Sequence, residues 1–231
     1  MVQIPKDRFA LGSYQYLRYP FSYFLDTAVE LEIRNVELWA AGPNFCLDIM
    51  DEGQLREKAA ELRTRELSVC CITPEQCQYP VNLAAEDGRI REYSIRNFER
   101  AFRTAEMLEC PNVLVSAGCG YFNRPVEEAW KRSEESLYRL SEKAQSMGIL
   151  LVLETLTPLS SNVLNTPEQQ REMISHMPPG SMKPMLDIGQ MVYMEQDLEQ
   201  YLAHGKELAH VHLHDSHPAL HMALGDGDLP I

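Results

Sequence analysis

The chain has 231 residues, of which 45% are hydrophobic and 24% are charged, and its formal net charge is −13. This composition is that of an ordinary globular protein large enough to bury a core, and α/β barrels of about 250 residues commonly form one domain. We therefore expect a single domain over residues 1–231. An acidic surface repels phosphate backbones, so we expect no nucleic acid partner.

The N-terminal residues 1–8 contain no apolar run, and no segment approaches 18 consecutive apolar residues. We therefore expect a cytoplasmic protein without a secretion signal and without a membrane partner. The six cysteines include no C-x-x-C pair, and several lie in apolar runs. This arrangement favours reduced, buried thiols over a zinc–thiolate site.

Strand and helix patterns alternate along the chain. Short apolar runs predict strands at residues 9–12, 35–39, 67–72, 112–116, 150–154, 184–187 and 208–212. Apolar residues spaced three and four apart predict helices at residues 21–31, 55–62, 95–108, 130–147 and 197–204. Thr166 before Pro167 predicts the start of another helix, and Gly148 the end of the long one. A long loop, residues 73–87, follows the third strand.

Seven βα units of this kind favour a parallel sheet covered by helices. A closed (β/α)8 barrel needs an eighth strand, and the chain stops at Ile231 before any such strand. We therefore expect a TIM-type α/β barrel lacking its eighth strand and helix, which would be a truncated form of a longer protein with an open sheet edge. A doubly wound open sheet is the competing architecture, but no Gly-rich phosphate loop follows the first strand.

Three predicted strands end in a side chain suited to metal binding: Glu154, Asp187 and His212. The strand ends of consecutive βα units lie on one face of the sheet, so these distant residues can converge. Two carboxylates and one imidazole suit a divalent cation such as Mn²⁺, Co²⁺, Mg²⁺ or Zn²⁺. Any one of the three, taken alone, could equally be a capping or loop residue.

Neighbouring residues have supporting roles in this prediction. Side chains alternate along a strand, so His210, His212 and His214 are predicted to share one face. A carboxylate often orients a ligating histidine, and Asp215 or Glu37 could do so. We expect His210 and His214 to be structural or to support the ligands.

Several short motifs occur in an order and spacing typical of one family. They are residues 36–39 (VELW), 73–75 (TPE) with Tyr79, Pro80 and Asn82, 153–158 (LETLTP) with Ser161 and Asn162, 187–188 (DI), 210–216 (HVHLHDS), and His221 with 225–230 (GDGDLP). Together they resemble the sugar phosphate isomerase/epimerase family of xylose-isomerase-like TIM barrels. Within it, the resemblance is to the fructoselysine 3-epimerases and the broader ketose 3-epimerases.

This resemblance implies that Glu154, Asp187 and His212 are metal ligands, with a fourth, a glutamate, at the end of a strand beyond Ile231. It implies proton transfer at C3 of a ketose through a cis-enediolate, in which the cation acts as a Lewis acid. Glu154 would be one of two acid/base groups, and the other is the glutamate beyond Ile231. We therefore expect this chain to bind metal weakly and to epimerise poorly.

The resemblance also points to four substrate-binding candidates: Trp39, Glu75, Gln190 and His221. Gln190 stands where several relatives have histidine, and Ser160 where tagatose-type and fructoselysine epimerases have glutamate. These departures leave the sugar open, including an amine adduct such as fructoselysine. Relatives are often oligomers, so a homo-oligomer is a further expectation.

Three alternatives stay open at this point: a hydroxypyruvate isomerase, an inosose dehydratase-like enzyme, and an inactive binding paralogue that lacks the fourth ligand. The related apurinic endonucleases need extra histidines for a trinuclear zinc cluster. This chain has Thr73, Ser116 and Gln190 near those places, and its negative charge also disfavours DNA.

Overall fold

The computed structural model describes residues 4–76, 80–203 and 207–229. Cys77, Tyr79, His204 and Pro230, which belong to the predictions above, lie outside these residues. The strands are β1 (Ala10–Gly12), β2 (Asn35–Trp39), β3 (Ala41–Gly42), β4 (Phe45–Cys46), β5 (Ser68–Thr73), β6 (Asn112–Ser116), β7 (Leu150–Glu154), β8 (Met182–Asp187) and β9 (His210–His212). The α-helices are α1 (Phe21–Glu30), α2 (Glu52–Thr64), α3 (Gly88–Met107), α4 (Val126–Ser146), α5 (Pro167–Ser175), α6 (Ile188–Tyr193) and α7 (Leu198–Leu202).

The chain forms two compact units whose segments interleave in the sequence. Unit one comprises Met1–Glu75, Arg96–Leu114 and Lys143–Ile149, and unit two comprises Gln76–Ile95, Val115–Glu142 and Leu150–Ile231. In unit one, β1 pairs in parallel with β2, β2 with β5, and β5 with β6. In unit two, β7 pairs in parallel with β8, and β8 with β9. Consecutive strands therefore pair in chain order, as expected for βα units.

Helix boundaries follow from local sequence. A capping box starts α2, where Asp51 accepts from the backbone of Gln54 and the Gln54 side chain accepts in return. A second capping box, formed by Thr166 and Gln169, starts α5, as the Thr166–Pro167 signal predicted. After α4, Gly148 has a φ of 71°, a left-handed conformation that favours glycine and ends the helix there.

Several features of local structure differ from the predictions. A short antiparallel hairpin, β3 with β4, follows β2 and was not predicted. The six-residue helix α6, which begins directly after Asp187, was not predicted, and α7 is shorter than the helix expected at 197–204. Strand β9 ends at His212, so strand alternation does not place His214. None of the helices in the described part of the chain is both long and apolar enough to cross a membrane.

One buried side chain forms hydrogen bonds to two neighbouring strands of unit two, β7 and β8. Gln170 on α5 is fully buried, and its amide nitrogen donates to the carbonyl of Leu153 on β7 at 2.6 Å and to that of Met185 on β8 at 2.8 Å. Each carbonyl precedes a strand end by one or two residues. Gln170 therefore fixes the ends of two neighbouring strands relative to one another.

The loop after β9 is organised by Asp215. Its carboxylate accepts hydrogen bonds from the backbone N–H groups of Ser216 at 2.9 Å, Gly225 at 2.8 Å and Leu229 at 2.9 Å. These N–H groups, Leu229 foremost, lower the pKa of Asp215 to about 2 against the opposing effect of burial. The expectation that Asp215 orients a ligating histidine was wrong, because the backbone of the loop takes its carboxylate oxygens.

We expect Gln170→Met to lower the free energy of unfolding by about 2 kcal/mol, because two buried carbonyls lose a donor. Urea denaturation would measure the change. Glu172→Met, at an exposed position of the same helix, is the matched control and should change stability little. Equal stability of the two variants would contradict this account of Gln170.

We expect Asp215→Asn to destabilise the protein at neutral pH, because an amide replaces one of the two accepting oxygens. The lowered pKa of Asp215 means that its contribution is complete above its unfolded-state value of about 3.9 and is lost as the pH falls towards 2. The difference in stability between wild type and Asp215→Asn should therefore shrink below about pH 4. Denaturation at a series of pH values would test this, with Asp226→Asn, an exposed site on the same loop, as control.

Candidate metal centre

The strand register of unit two brings the three predicted ligands to one sheet edge. Strand β7 pairs with β8 through Leu153 and Pro184, and β8 pairs with β9 so that Asp187 lies directly opposite His212. Glu154, Asp187 and His212 are each the last residue of a strand. Because the strands are parallel, all three side chains lie at their carboxyl ends.

The ligand atoms of these residues are close together. His212 Nδ1 lies 3.6 Å from Asp187 Oδ2 and 3.8 Å from Glu154 Oε1, and one ligand atom from each residue lies within 4.8 Å of the other two. Two atoms that each lie about 2.1 Å from a shared ion are about 3 to 4 Å apart. The donor set and its spacing therefore fit a divalent cation. Two buried carboxylates also need a positively charged or hydrogen-bonding partner, because an unpaired buried charge is costly.

Asp187 is the most buried of the three, at 3% exposure. Its Oδ1 accepts the backbone N–H of Gln190 at 2.7 Å, which caps α6. Burial raises the pKa of Asp187, but the nearby imidazoles of His212 and His214 lower it by more, so that the net pKa is well below its ordinary value. Asp187 is therefore an ionised carboxylate at neutral pH.

Glu154, at 8% exposure, is held by the side chain of Gln190. The Gln190 amide nitrogen donates to Glu154 Oε1 at 2.9 Å, and the amide oxygen accepts the backbone N–H of Thr157 at 3.0 Å. Gln190 thus contacts both carboxylates, one through its backbone and one through its side chain. The sequence named it as a substrate contact; that role stays a prediction, and the support it gives to Glu154 was not foreseen.

Two further histidines lie near Asp187: His214 contacts its carboxylate, and His221 packs against the ring of His214. His214 Nε2 is 2.9 Å from Asp187 Oδ1, and the His214 ring packs against that of His221 with 4.5 Å between centroids. Burial lowers the pKa of His214, and the hydrogen bond to Asp187 raises it, with a net increase. Burial, together with the neighbouring His214, lowers the pKa of His221. Contact of His221 with substrate stays a prediction.

Trp39 and Glu75, the other substrate candidates, belong to unit one. Trp39 ends β2; its backbone N–H donates to Ser13 Oγ at 2.8 Å, and its ring packs edge-on against Tyr14. Glu75 is half-buried in the loop after β5. The substrate roles of both residues stay predictions. Glu37, named above as a carboxylate that could orient a ligating histidine, is buried and accepts a hydrogen bond from Thr73 Oγ1, and its orienting role stays a prediction.

Curated relatives and solved structures agree on the kind of protein that this chain resembles. Over 217 residues it is 28% identical to fructoselysine 3-epimerase from Escherichia coli O157:H7, covering 93% of this chain and 79% of that protein. A structure of D-psicose 3-epimerase with D-fructose matches with a TM-score of 0.76 at 19% identity, covering 89% of this chain and 72% of that one. A structure of L-ribulose 3-epimerase matches with a TM-score of 0.77 at 21% identity, covering 96% and 74%.

The structural matches show the fold, and the curated relative is an epimerase, a member of the isomerase class of enzymes. The predicted α/β barrel fold and the predicted enzyme class are thereby confirmed. The sequence model of the family described as "Xylose isomerase-like TIM barrel" matches residues 25–231. That range covers most of the chain and includes all of the motifs named above, and the chain belongs to the xylose isomerase-like TIM barrel family.

Proposed function

We propose that the protein is a divalent-metal-dependent ketose 3-epimerase in which Glu154, Asp187 and His212 hold the cation. The observation that carries the proposal is the convergence of these three ligand atoms within 4.8 Å at the ends of neighbouring strands. The similarity to fructoselysine 3-epimerase supports the reaction class. Mn²⁺, Co²⁺, Mg²⁺ and Zn²⁺ all suit the donor set.

A cation held by these residues would supply Lewis-acid stabilisation of the negative charge that develops on the substrate during proton transfer. Glu154 takes the proton from C3, leaving a cis-enediolate of the substrate. The hydrogen bond from Gln190 holds the Glu154 carboxylate in place, so that its position relative to C3 is fixed before the proton moves. Asp187, ionised and buried, adds negative charge that favours the cation over water.

Inversion at C3 requires a proton to return to the opposite face of the enediolate. A second acid is needed for this step, and the family resemblance assigns it to a glutamate on an eighth strand. Glu154 and its partner then exchange acid and base roles when the reaction runs in reverse.

The substrate that we propose is a ketose or a ketose–amine adduct of the fructoselysine type. The named relative supports an adduct, and the net charge of −13 favours a ligand that carries an ammonium group over a phosphorylated sugar. We place the reaction in the cytoplasm, which suits cysteines that form no disulfide, as is the case for Cys46, Cys70, Cys71, Cys110 and Cys119.

The test measures exchange of the C3 proton in D₂O by ¹H NMR. The sugars are fructoselysine, D-psicose, D-tagatose and L-ribulose, each with added Mn²⁺ or Co²⁺. We expect slow loss of the C3–H signal with at least one of these sugars. A chelator should stop this loss. Glu154→Gln should slow exchange by about 10²- to 10⁴-fold, the usual contribution of a general base.

Glu172→Gln, an exposed carboxylate of unit two, is the matched control and should exchange at the wild-type rate. Asp187→Asn and His212→Ala should lose Co²⁺ binding measured by visible absorption. Exchange that persists at an undiminished rate in Glu154→Gln, or in chelator-treated wild type, would refute the proposal.

A further inference from the structure

We propose that His214 is a positioning residue for the metal site: lodged against Gly189, it holds the Asp187 carboxylate in the orientation that the cation requires. This inference rests on the proposed function, since the ligand role of Asp187 belongs to it. His214 itself would not contact the substrate or the cation.

The first support is the contact between the two side chains. His214 is 7% exposed, and its Nε2 lies 2.9 Å from Oδ1 and 3.1 Å from Oδ2 of Asp187. An ionised carboxylate only accepts hydrogen bonds, so Nε2 must carry the proton. At the other end of the ring, Nδ1 lies 3.2 Å from the backbone nitrogen of His221 and 3.0 Å from the carbonyl of Asp215. A neutral ring with its proton on Nε2 accepts the His221 N–H at Nδ1, and a doubly protonated ring donates instead to the Asp215 carbonyl. Partners at both nitrogens fix the plane of the ring.

The second support is the space that Gly189 leaves for the ring. A Cβ atom at position 189 would lie 1.9 Å from Cε1 and 2.1 Å from Nδ1 of His214, far inside contact distance. Glycine within a helix is less favourable than alanine by about 1 kcal/mol. A glycine at the second position of α6 therefore has a packing reason, which is to let the imidazole lie directly over the helix backbone.

The third support is the arrangement of donors around Asp187. Oδ1 accepts the N–H of Gln190 at 2.7 Å, and His214 Nε2 forms its hydrogen bond with Oδ2 at 3.1 Å, while Oδ2 also lies 3.6 Å from His212 Nδ1. Gln190 and His214 thus hold one oxygen each and fix the plane of the carboxylate, with Oδ2 near His212. Without His214, one backbone N–H alone would set the rotation of the carboxylate about its Cβ–Cγ bond.

The experiment titrates the metal-free protein with Co²⁺ and follows visible absorption, for wild type and four variants. His214→Ala should weaken Co²⁺ binding by about 10- to 100-fold, the usual effect of removing a group that orients a ligand. Gly189→Ala should weaken it to a similar extent, because the new methyl group displaces the ring. The double variant Gly189→Ala/His214→Ala should bind no more weakly than His214→Ala, and His214→Gln, whose amide N–H can replace Nε2–H, should recover part of the affinity.

His176→Ala removes an exposed histidine of the same unit and should bind Co²⁺ like wild type. A long-range ¹H–¹⁵N correlation spectrum of the metal-free wild type should show a proton on Nε2 of His214. This spectrum tests the contact even if a variant fails to fold.

The outcomes separate the two proposals. Wild-type Co²⁺ affinity in His214→Ala, or a His214 ring protonated only on Nδ1, would overturn the positioning role and leave the metal site standing. Failure of the wild type to bind Co²⁺ would overturn both. A purely structural role would make Gly189→Ala and His214→Ala additive and would leave His214→Gln without recovery.

Discussion

The register between β8 and β9 is the constraint on which the site depends. It places Asp187 directly opposite His212, and the end of the neighbouring β7 brings Glu154 close enough that one ligand atom from each of the three residues lies within 4.8 Å of the other two. Side chains alternate between the two faces of a strand, so a slip of one residue would turn one ligand away from the other two. Between β7 and β8, Gln170 resists such a slip, because it donates to one carbonyl on each of these two strands.

Two buried carboxylates so close together require compensation, and the fold supplies it largely with neutral groups. Gln190 alone serves both, through its backbone N–H to Asp187 and its side-chain amide to Glu154. His214 adds a third donor. Neutral donors hold the oxygens in place without neutralising their charge, which leaves the negative potential available for a cation.

Sequence reasoning reached the elements whose signal is local. Apolar runs ended by Glu154, Asp187 and His212 are visible without any structure, and the capping residues mark α5. The helix α6 was not predicted, because six residues are too few to show a periodic pattern of apolar residues. His214 was expected to be structural or to support the ligands, but its contact with Asp187 was not predicted, because His214 lies beyond the end of β9, where alternation no longer sets direction. The local signal was Gly189, because glycine is unfavourable in a helix. Its presence is explained by the His214 ring, which occupies the space that a side chain at position 189 would need.

The way in which Asp215 holds the loop after β9 has an evolutionary consequence. Its carboxylate binds backbone N–H groups of Ser216, Gly225 and Leu229, and every residue except proline carries such a group. Apart from Gly225, with a φ of 92°, and Gly227, where a Cβ would lie 2.2 Å from the Ser216 carbonyl oxygen, the course of this segment therefore depends little on the side chains along it. Descendants of such a protein can exchange those other side chains while the anchoring aspartate keeps the main chain on the same path.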